Sequence, residues 1–190
     1  MVDGDTLEID GTIYRLNGID APEHGQRCGD WACGSDATNA LADLVKGRDV
    51  TCQPIAQDRY GRVIATCFTG GRDISAAMID NGLAWAFLKY SDAYETHQLV
   101  SKEKAQGVFS DDYAAPWDFR ERRWKAAQGQ ERDAPSGCPI KGNISENGRI
   151  YHAPWSPWYD RTRINEGKGE RWFCSESEAV AAGWRAPRWH

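Results

Sequence analysis

The first two runs of alternating apolar and polar residues predict a β-hairpin near the start of the chain. Residues 7–9 and 12–16 alternate in this way, and Asp10 and Gly11 stand between them. An Asp-Gly pair flanked by alternating segments is a strong signal for a two-residue hairpin turn. Such a hairpin would carry the residues that precede and follow it to the same end of a sheet.

Short apolar strands and amphipathic helices follow one another as far as residue 106. Glycines and capping residues set the limits of these elements. The pattern alone indicates an α+β domain. The predicted elements are a helix that Ser35 caps and Gly47 ends, strands at 50–52 and 63–68, a helix that Asp73 caps and Gly82 ends, a strand at 83–88, and a charged helix at 94–106.

A change of composition marks the end of this domain. Residues 126–137 contain Gly and Pro and have no apolar period, which is typical of a linker. We therefore predict one domain at 1–125, the linker at 126–137 and a second domain at 138–190, which carries five of the nine tryptophans. No apolar run is long enough to predict a membrane span.

The six cysteines, an even number, favour a set of disulfides. Complete pairing would indicate an oxidising compartment and therefore an exported (periplasmic or secreted) protein, whereas six free thiols would indicate a cytosolic one. Met1 directly precedes the first motif, as it would in a mature chain trimmed of an upstream segment. The candidate pairs are Cys28 with Cys33, Cys52 with Cys67 across one predicted hairpin, and Cys138 with Cys174.

Two carboxylates and an arginine around the first hairpin are the candidates for chemistry. Asp5 and Asp20 would meet at one end of the sheet, and Arg15 lies between them in the sequence. Hard oxygen ligands suit a divalent cation, although aspartates beside glycine often only close turns. The net charge of −5 does not favour attraction of nucleic acid by the overall field, so local arginines and a metal would have to hold such a substrate.

Three motifs follow one another in the first domain. They are Asp-Gly-Asp-Thr at 3–6, Arg-Leu-Asn-Gly-Ile-Asp-Ala-Pro-Glu at 15–23 and Asp-Arg-Tyr-Gly-Arg at 58–62. In this order they resemble the staphylococcal (thermonuclease-type) nuclease family, and the likeness extends from Val2 to about Arg120. The resemblance implies an OB-fold, a five-stranded Greek-key β-barrel with about three helices, followed here by a small C-terminal module.

The resemblance also implies a metal site. Asp5, Asp20 and the backbone carbonyl of Ala21 would bind one Ca²⁺ ion. The family usually has threonine at the position of Ala21, and a backbone ligand survives that change. Asp3 would support the site from outside the set of ligands.

The catalytic groups implied by the resemblance are one carboxylate and two guanidinium groups. Glu23 would act as general base towards a water molecule, and Arg15 and Arg62 would clamp the phosphate. The implied activity is Ca²⁺-dependent hydrolysis of DNA and RNA with little sequence specificity, which leaves 3′-phosphates and favours single-stranded or frayed substrates. The alternative is a non-catalytic OB-fold module that binds nucleic acid or peptide. Degenerate copies in the family typically lose the carboxylates or arginines, which this chain keeps.

The C-terminal segment resembles a small module called the sunset domain. The resemblance lies in Cys-Pro-Ile-Lys-Gly-Asn-Ile-Ser at 138–145, Ile-Tyr-His at 150–152 and Gly-Glu-Arg-Trp-Phe-Cys at 169–174. Its aromatic residues either form the core of this small unit or bind a polymer, and its partner is unknown. Zinc ligation is an alternative to the disulfide here, and the absence of a Cys-x-x-Cys spacing favours the disulfide. The candidate zinc ligands are Cys138, His152, Cys174 and His190.

Overall fold

The structure is a computed structural model that describes residues 3–130 and 134–188. The described residues divide into two compact units, 3–116 and 117–188. In the described part of the chain, no helix is both long enough and apolar enough to cross a membrane.

A five-stranded sheet forms the centre of the first unit. Its strand order is β1-β2-β5-β4, with β6 added beside β5, and β2 runs parallel to β5 while the other pairs are antiparallel. A separate two-stranded pair joins β3 to β7. The strands are β1 (Thr6–Ile9), β2 (Thr12–Leu16), β3 (Ile19–Asp20), β4 (Val50–Gln57), β5 (Val63–Thr69), β6 (Arg72–Asp73) and β7 (Trp85–Ala86).

The predicted hairpin is present and is formed by β1 and β2. Asp10 and Gly11 have φ angles of 48° and 79°, and two consecutive positive φ angles are what a type I′ hairpin turn requires. In the register of the two strands, Thr6 lies opposite Arg15. The backbone of Leu16 also donates to the carbonyl of Asp5 at 2.8 Å. The hairpin therefore places Arg15 beside Asp5.

Three helices pack around the core of this unit: the second lies on β5, and the first and third pack against the second. They are α1 (Cys33–Val45), α2 (Ile74–Asp80) and α3 (Glu95–Glu103). Asp73 caps α2 as predicted, because its Oδ1 accepts from the backbone N–H of Ala76 at 3.2 Å. The fully buried core includes Leu7, Leu16, Ile19, Leu41, Ile74, Met78 and Ile79.

Two sequence predictions in this unit were wrong in detail. Ser35 does not cap α1, which begins at Cys33; its hydroxyl donates instead to the carbonyl of His24 at 3.2 Å. The apolar run at 83–88 forms only the short strand β7, since the chain pairs there just with the two residues of β3. A run of apolar residues indicates burial, but a buried segment without regular structure produces the same pattern as a strand. The prediction therefore extended the strand over the whole run.

The second unit combines two helices with a small antiparallel sheet of order β10-β8-β9. The predicted aromatic core is present, because Tyr151, Phe173 and Trp184 are buried with Ile140 and Ala179. The elements are α4 (Pro116–Gln130), β8 (Ile140–Ser145), β9 (Gly148–His152), β10 (Arg171–Phe173) and α5 (Glu176–Ala181).

Helix α4 crosses the domain limit that composition suggested. Residues 126–130, the first part of the predicted linker, are the last residues of this helix, and residues 131–133 lie outside the described residues. The helix falls in the second unit, whereas the prediction gave its first ten residues to the first domain. Composition identifies a polar stretch without an apolar stripe, and an exposed helix such as α4 has the same composition.

All three candidate cysteine pairs are joined in the structure, and no described cysteine is free. The bond between Cys138 and Cys174 removes both from the candidate zinc ligands, so that alternative is wrong for them. His152 already has a hydrogen-bond partner at each ring nitrogen: Nδ1 lies 3.2 Å from Ser156 Oγ, and Nε2 lies 3.1 Å from Asn143 Oδ1. His190 lies outside the described residues.

The Cys52–Cys67 bond gives a prediction about stability. These cysteines are directly opposite in β4 and β5 and are separated by 15 positions. Replacing both with alanine should lower the free energy of unfolding by about 3 kcal/mol, the value that chain entropy gives for a loop of this size. Urea denaturation of the two proteins under oxidising conditions measures the difference. A loss below about 1 kcal/mol would show that the unfolded chain is not restrained by this bond.

Candidate active site

Two buried carboxylates face one guanidinium group at the end of the first hairpin. Arg15 Nη1 lies 2.7 Å from Asp5 Oδ2, and Arg15 Nη2 lies 3.1 Å from Asp20 Oδ1. Asp5 and Asp20 are only 4% and 1% exposed. Two like charges so deeply buried require a cation between them, because each would otherwise lose its hydration without compensation.

Asp5 is held by its neighbours in a fixed orientation. Its Oδ2 accepts from the backbone N–H of Ala21 at 2.9 Å, and its Oδ1 accepts from the hydroxyl of Thr6 at 3.0 Å. Burial acts to raise the pKa of Asp5, but the charge of Arg15 and hydrogen bonds from Asp3 and the backbone of Ala21 outweigh it and hold the pKa below the usual value. Asp5 is therefore ionised at neutral pH.

Asp3 has the opposite tendency. Its Oδ1 accepts from the backbone N–H of Asp5 at 3.2 Å. Burial raises the pKa of Asp3 well above the usual value, and the negative charges of Asp5 and Glu23 raise it further. The protonated form can donate to Asp5, so the two carboxyl groups act as one unit in which Asp5 keeps the charge.

Arg62 directly precedes β5, and its guanidinium group is within reach of the charges of Asp3 and Asp5. Asp58 holds it: Oδ2 of Asp58 accepts from Arg62 Nε at 2.7 Å, and Oδ1 accepts from the backbone N–H groups of Arg62 and Tyr60 at 3.0 and 2.9 Å. Burial acts to lower the pKa of Arg62, but Asp58 and, after it, Asp3 and Asp5 raise it above the usual value. The guanidinium group of Arg62 also stacks 5.0 Å from the ring centre of Tyr60.

Glu23 follows Ala21 and Pro22 on a short turn that leads to α1. The turn is closed by a hydrogen bond of 2.7 Å from the backbone N–H of Gln26 to the carbonyl of Glu23. The charge of Glu23 contributes to the raised pKa of Asp3, which places its carboxylate in the same electrostatic neighbourhood.

Oxygen donors of this kind suit a hard divalent cation. Nη1 of Arg15 is fully buried and has no aligned hydrogen-bond acceptor, although Asp5 lies next to it. Asp5 therefore meets Nη1 through attraction of opposite charges and not through an aligned hydrogen bond, and a metal ion would be attracted to the carboxylate in the same way. Within residues 3–130 and 134–188, no three His, Cys, Asp or Glu side chains form a metal-binding group, so a bound ion would also need backbone and water oxygens.

The structure brings together most of the predicted site. Asp5, Arg15 and Asp20 are in direct contact, and Asp3, Glu23 and Arg62 share their electrostatic field. Ala21 contacts the site through its backbone N–H. Sequence reasoning missed the roles of Asp58, which holds Arg62, and of Gln26, which contacts the backbone of Glu23. The motif at 58–62 contained the signal for the first of these.

The comparison with protein families agrees with this geometry. The family described as staphylococcal nuclease homologue matches residues 13–108, which is half of the chain. The chain belongs to the staphylococcal nuclease family. The fold of the first unit is accordingly the OB-fold that the motifs implied, with its five-stranded sheet and three helices. A second family, ArfC, matches residues 121–186 in the C-terminal unit.

Several curated relatives share the nuclease-family part of the chain. The succinoglycan biosynthesis protein ExoI of Rhizobium meliloti is 41% identical over 117 residues, which are 57% of this chain and 61% of that protein. An uncharacterised endonuclease of Escherichia coli is 31% identical over 131 residues, 65% of this chain and 82% of the relative. The micrococcal nuclease of Shigella flexneri is 34% identical over 138 residues, 63% and 76% of the two chains.

The raised pKa of Asp3 gives a prediction about pH. A carboxyl group whose pKa is higher in the folded state stabilises the fold below its unfolded pKa of about 3.9, and this contribution is lost as the pH rises through the folded pKa. Near neutral pH the buried charge of Asp3 therefore destabilises the fold, and the variant Asp3→Asn removes this charge. With a chelator present, the Tm of the variant should exceed that of the wild type near neutral pH. Each kcal/mol corresponds to about 2–4 °C in a chain of this size.

The same comparison near pH 3 is the control for Asp3→Asn, because Asp3 is protonated there in both states and the difference in Tm should vanish. Asp43→Asn, on the exposed face of α1, serves as the matched variant. A difference that is equal at both pH values would contradict the account of Asp3.

Proposed function

We propose that this protein is a Ca²⁺-dependent nuclease that hydrolyses phosphodiester bonds of DNA and RNA with little sequence specificity. Family membership and the named nucleases among its relatives support a hydrolase acting on nucleic acid. The observation that carries the proposal is the pair of buried carboxylates around Arg15, with Glu23 and Arg62 in the same field. This arrangement combines the acceptors for a metal with the donors for a phosphate.

Asp5, Asp20 and the backbone carbonyl of Ala21 are the groups that would hold the ion. Bound calcium would polarise the phosphoryl oxygens and offset their negative charge. The ion pairs of Arg15 with both aspartates show that their carboxylates can face one positive centre. A positive charge supplied by calcium would leave the guanidinium group of Arg15 available to the substrate.

Glu23 is the proposed general base. Its carboxylate takes a proton from a water molecule whose oxygen forms the new bond to phosphorus. The bond from phosphorus to the 5′ oxygen breaks, and that oxygen takes a proton from solvent. The products are a 3′-phosphate and a free 5′-hydroxyl group.

Arg15 and Arg62 are the proposed phosphate clamp. A guanidinium group is planar and always charged, so it can form paired hydrogen bonds with two phosphoryl oxygens. Asp58 accepts from Nε of Arg62 at 2.7 Å, and this bond does not involve the two outer nitrogens of the guanidinium group. Such contacts would be made to phosphates and not to base edges, and phosphates are the same in every sequence. Low sequence specificity would follow.

The proposed substrates are single-stranded or frayed nucleic acids. The negative net charge provides little general attraction for a polyanion. Binding would depend on the arginines and the metal, and would therefore be weak and sensitive to salt. The three disulfides fit an exported protein, and we propose a periplasmic or secreted location.

The second candidate function is a non-catalytic OB-fold module that binds nucleic acid or peptide. Binding alone would not require the carboxylate of Glu23, whose negative charge acts on Asp3 together with that of Asp5 and would repel a nucleic acid. Its retention favours the enzyme. The C-terminal unit, matched by the ArfC family, has no proposed chemistry, and its partner is open.

The nuclease proposal predicts a specific pattern of activity. The wild type should release acid-soluble nucleotides from denatured DNA in the presence of Ca²⁺ and not with a chelator. Glu23→Gln should lower the rate by about 10²–10⁴-fold, the usual contribution of general acid–base catalysis, while Ca²⁺ still binds. Glu103→Gln, at the exposed end of α3, is the control and should retain full activity. A folded, calcium-loaded wild type without cleavage would refute the enzyme and favour the binding module.

A further inference from the structure

The side chain of Gln26 forms a buried bridge behind the turn that carries Glu23. It is only 2% exposed, which is rare for a glutamine unless both ends of its amide are bonded. Its Oε1 accepts from the backbone N–H of Glu23 at 3.3 Å, and its Nε2 donates to the carbonyl of Ala114 at 2.7 Å. Ala114 is 88 positions further along the chain. One amide thus ties the turn to a distant segment of the same unit.

The backbone of Gln26 fixes the same turn a second time. Its N–H donates to the carbonyl of Glu23 at 2.7 Å, and its carbonyl accepts from the N–H of Gly34 at the start of α1 at 3.1 Å. A side chain at Gly34 could not be accommodated, because its Cβ would lie 1.7 Å from the carbonyl oxygen of Glu23. The turn is therefore packed directly against the first residues of α1.

The chain between the turn and α1 is closed by the Cys28–Cys33 disulfide. Cys28 and Trp31 also exchange two backbone hydrogen bonds, of 2.9 and 3.1 Å. Both cysteines are buried, at 1% and 0% exposure. The segment that follows Gln26 is thus anchored at both ends, so Gln26 is itself held in place while it holds Glu23.

We propose that Gln26 is a positioning residue for Glu23. The inference rests on the proposed nuclease activity, in which Glu23 is the general base. A base must be kept within a fraction of an ångström of its working position, and misplacement by about 1 Å can cost 100-fold in rate. Hydrogen bonds of Gln26 to the N–H and the carbonyl of Glu23 fix the backbone from which that carboxylate extends. Gln26 does not touch the reacting atoms, so its effect passes through Glu23.

The test compares Gln26→Met with a matched variant in the complete protein. Methionine keeps the volume and removes both amide hydrogen bonds. Ser101→Ala is the control, since it also removes one buried hydrogen bond (2.9 Å to the carbonyl of Ile79) and lies on α3, in contact with α2. We expect Gln26→Met to lower kcat by about 10- to 100-fold, with KM and the Ca²⁺ concentration for half-maximal activity unchanged.

A double-mutant cycle with Glu23→Gln separates positioning from loss of stability. If Gln26 acts through Glu23, Gln26→Met should not lower the residual rate of Glu23→Gln any further. Equal fold losses in both backgrounds would overturn the inference and indicate a general structural role. An effect on kcat no larger than that of Ser101→Ala would overturn it as well, while the wild-type activity would keep the proposed function intact. An inactive wild type would overturn the proposed function and, with it, this inference.

If Gln26→Met does not fold, Gln26→Asn replaces it in the same cycle. Asparagine is one methylene shorter, so its amide cannot span the distance between the N–H of Glu23 and the carbonyl of Ala114. We expect kcat to fall about tenfold in this variant, with no further loss in the Glu23→Gln background. An unchanged kcat would overturn the inference.

Discussion

The contact of one arginine with two buried aspartates is the interaction on which the first unit depends. Asp5 and Asp20 belong to segments on either side of the hairpin, and Arg15 joins them across it. Neither carboxylate could remain ionised at this depth without a positive partner. The site therefore has to be formed when the hairpin and the segment after it fold together. The charges to which we assign the chemistry therefore also stabilise the fold.

Around this cluster, neighbouring side chains hold the groups to which we assign the chemistry. Asp58 fixes Arg62, Asp3 shares its proton with Asp5, and Gln26 fixes the turn of Glu23. Such supports matter because electrostatic catalysis depends on groups that are already oriented before the substrate arrives. In the C-terminal unit a buried charged group is likewise held by its neighbours. Lys141 is 1% exposed, and its Nζ donates to the carbonyl of Tyr159 at 3.1 Å and lies 4.1 Å from the centre of the Tyr159 ring.

The elements that carry the site could be predicted from the sequence because their signals are local. Asp10-Gly11 defines the turn, and the fixed length of the hairpin then places Arg15 opposite Thr6. The pairs Cys28–Cys33 and Cys52–Cys67, 5 and 15 positions apart, were recognisable for the same reason. The bridge from Gln26 to Ala114 could not be predicted, because it depends on packing between segments 88 positions apart. The start of α1 at Cys33 was missed since a disulfide and Gly34, not a side-chain cap, set it.

Calorimetric titration of the protein with Ca²⁺ shows whether Asp5 and Asp20 form a calcium site. We predict one ion per chain, with binding lost in Asp20→Asn and retained in Asp58→Asn, because Asp58 holds Arg62 and is not a proposed ligand. Circular dichroism should show that both variants are folded. Binding that is absent from the wild type, or unchanged in Asp20→Asn, would contradict the assignment of the two buried carboxylates as the calcium site.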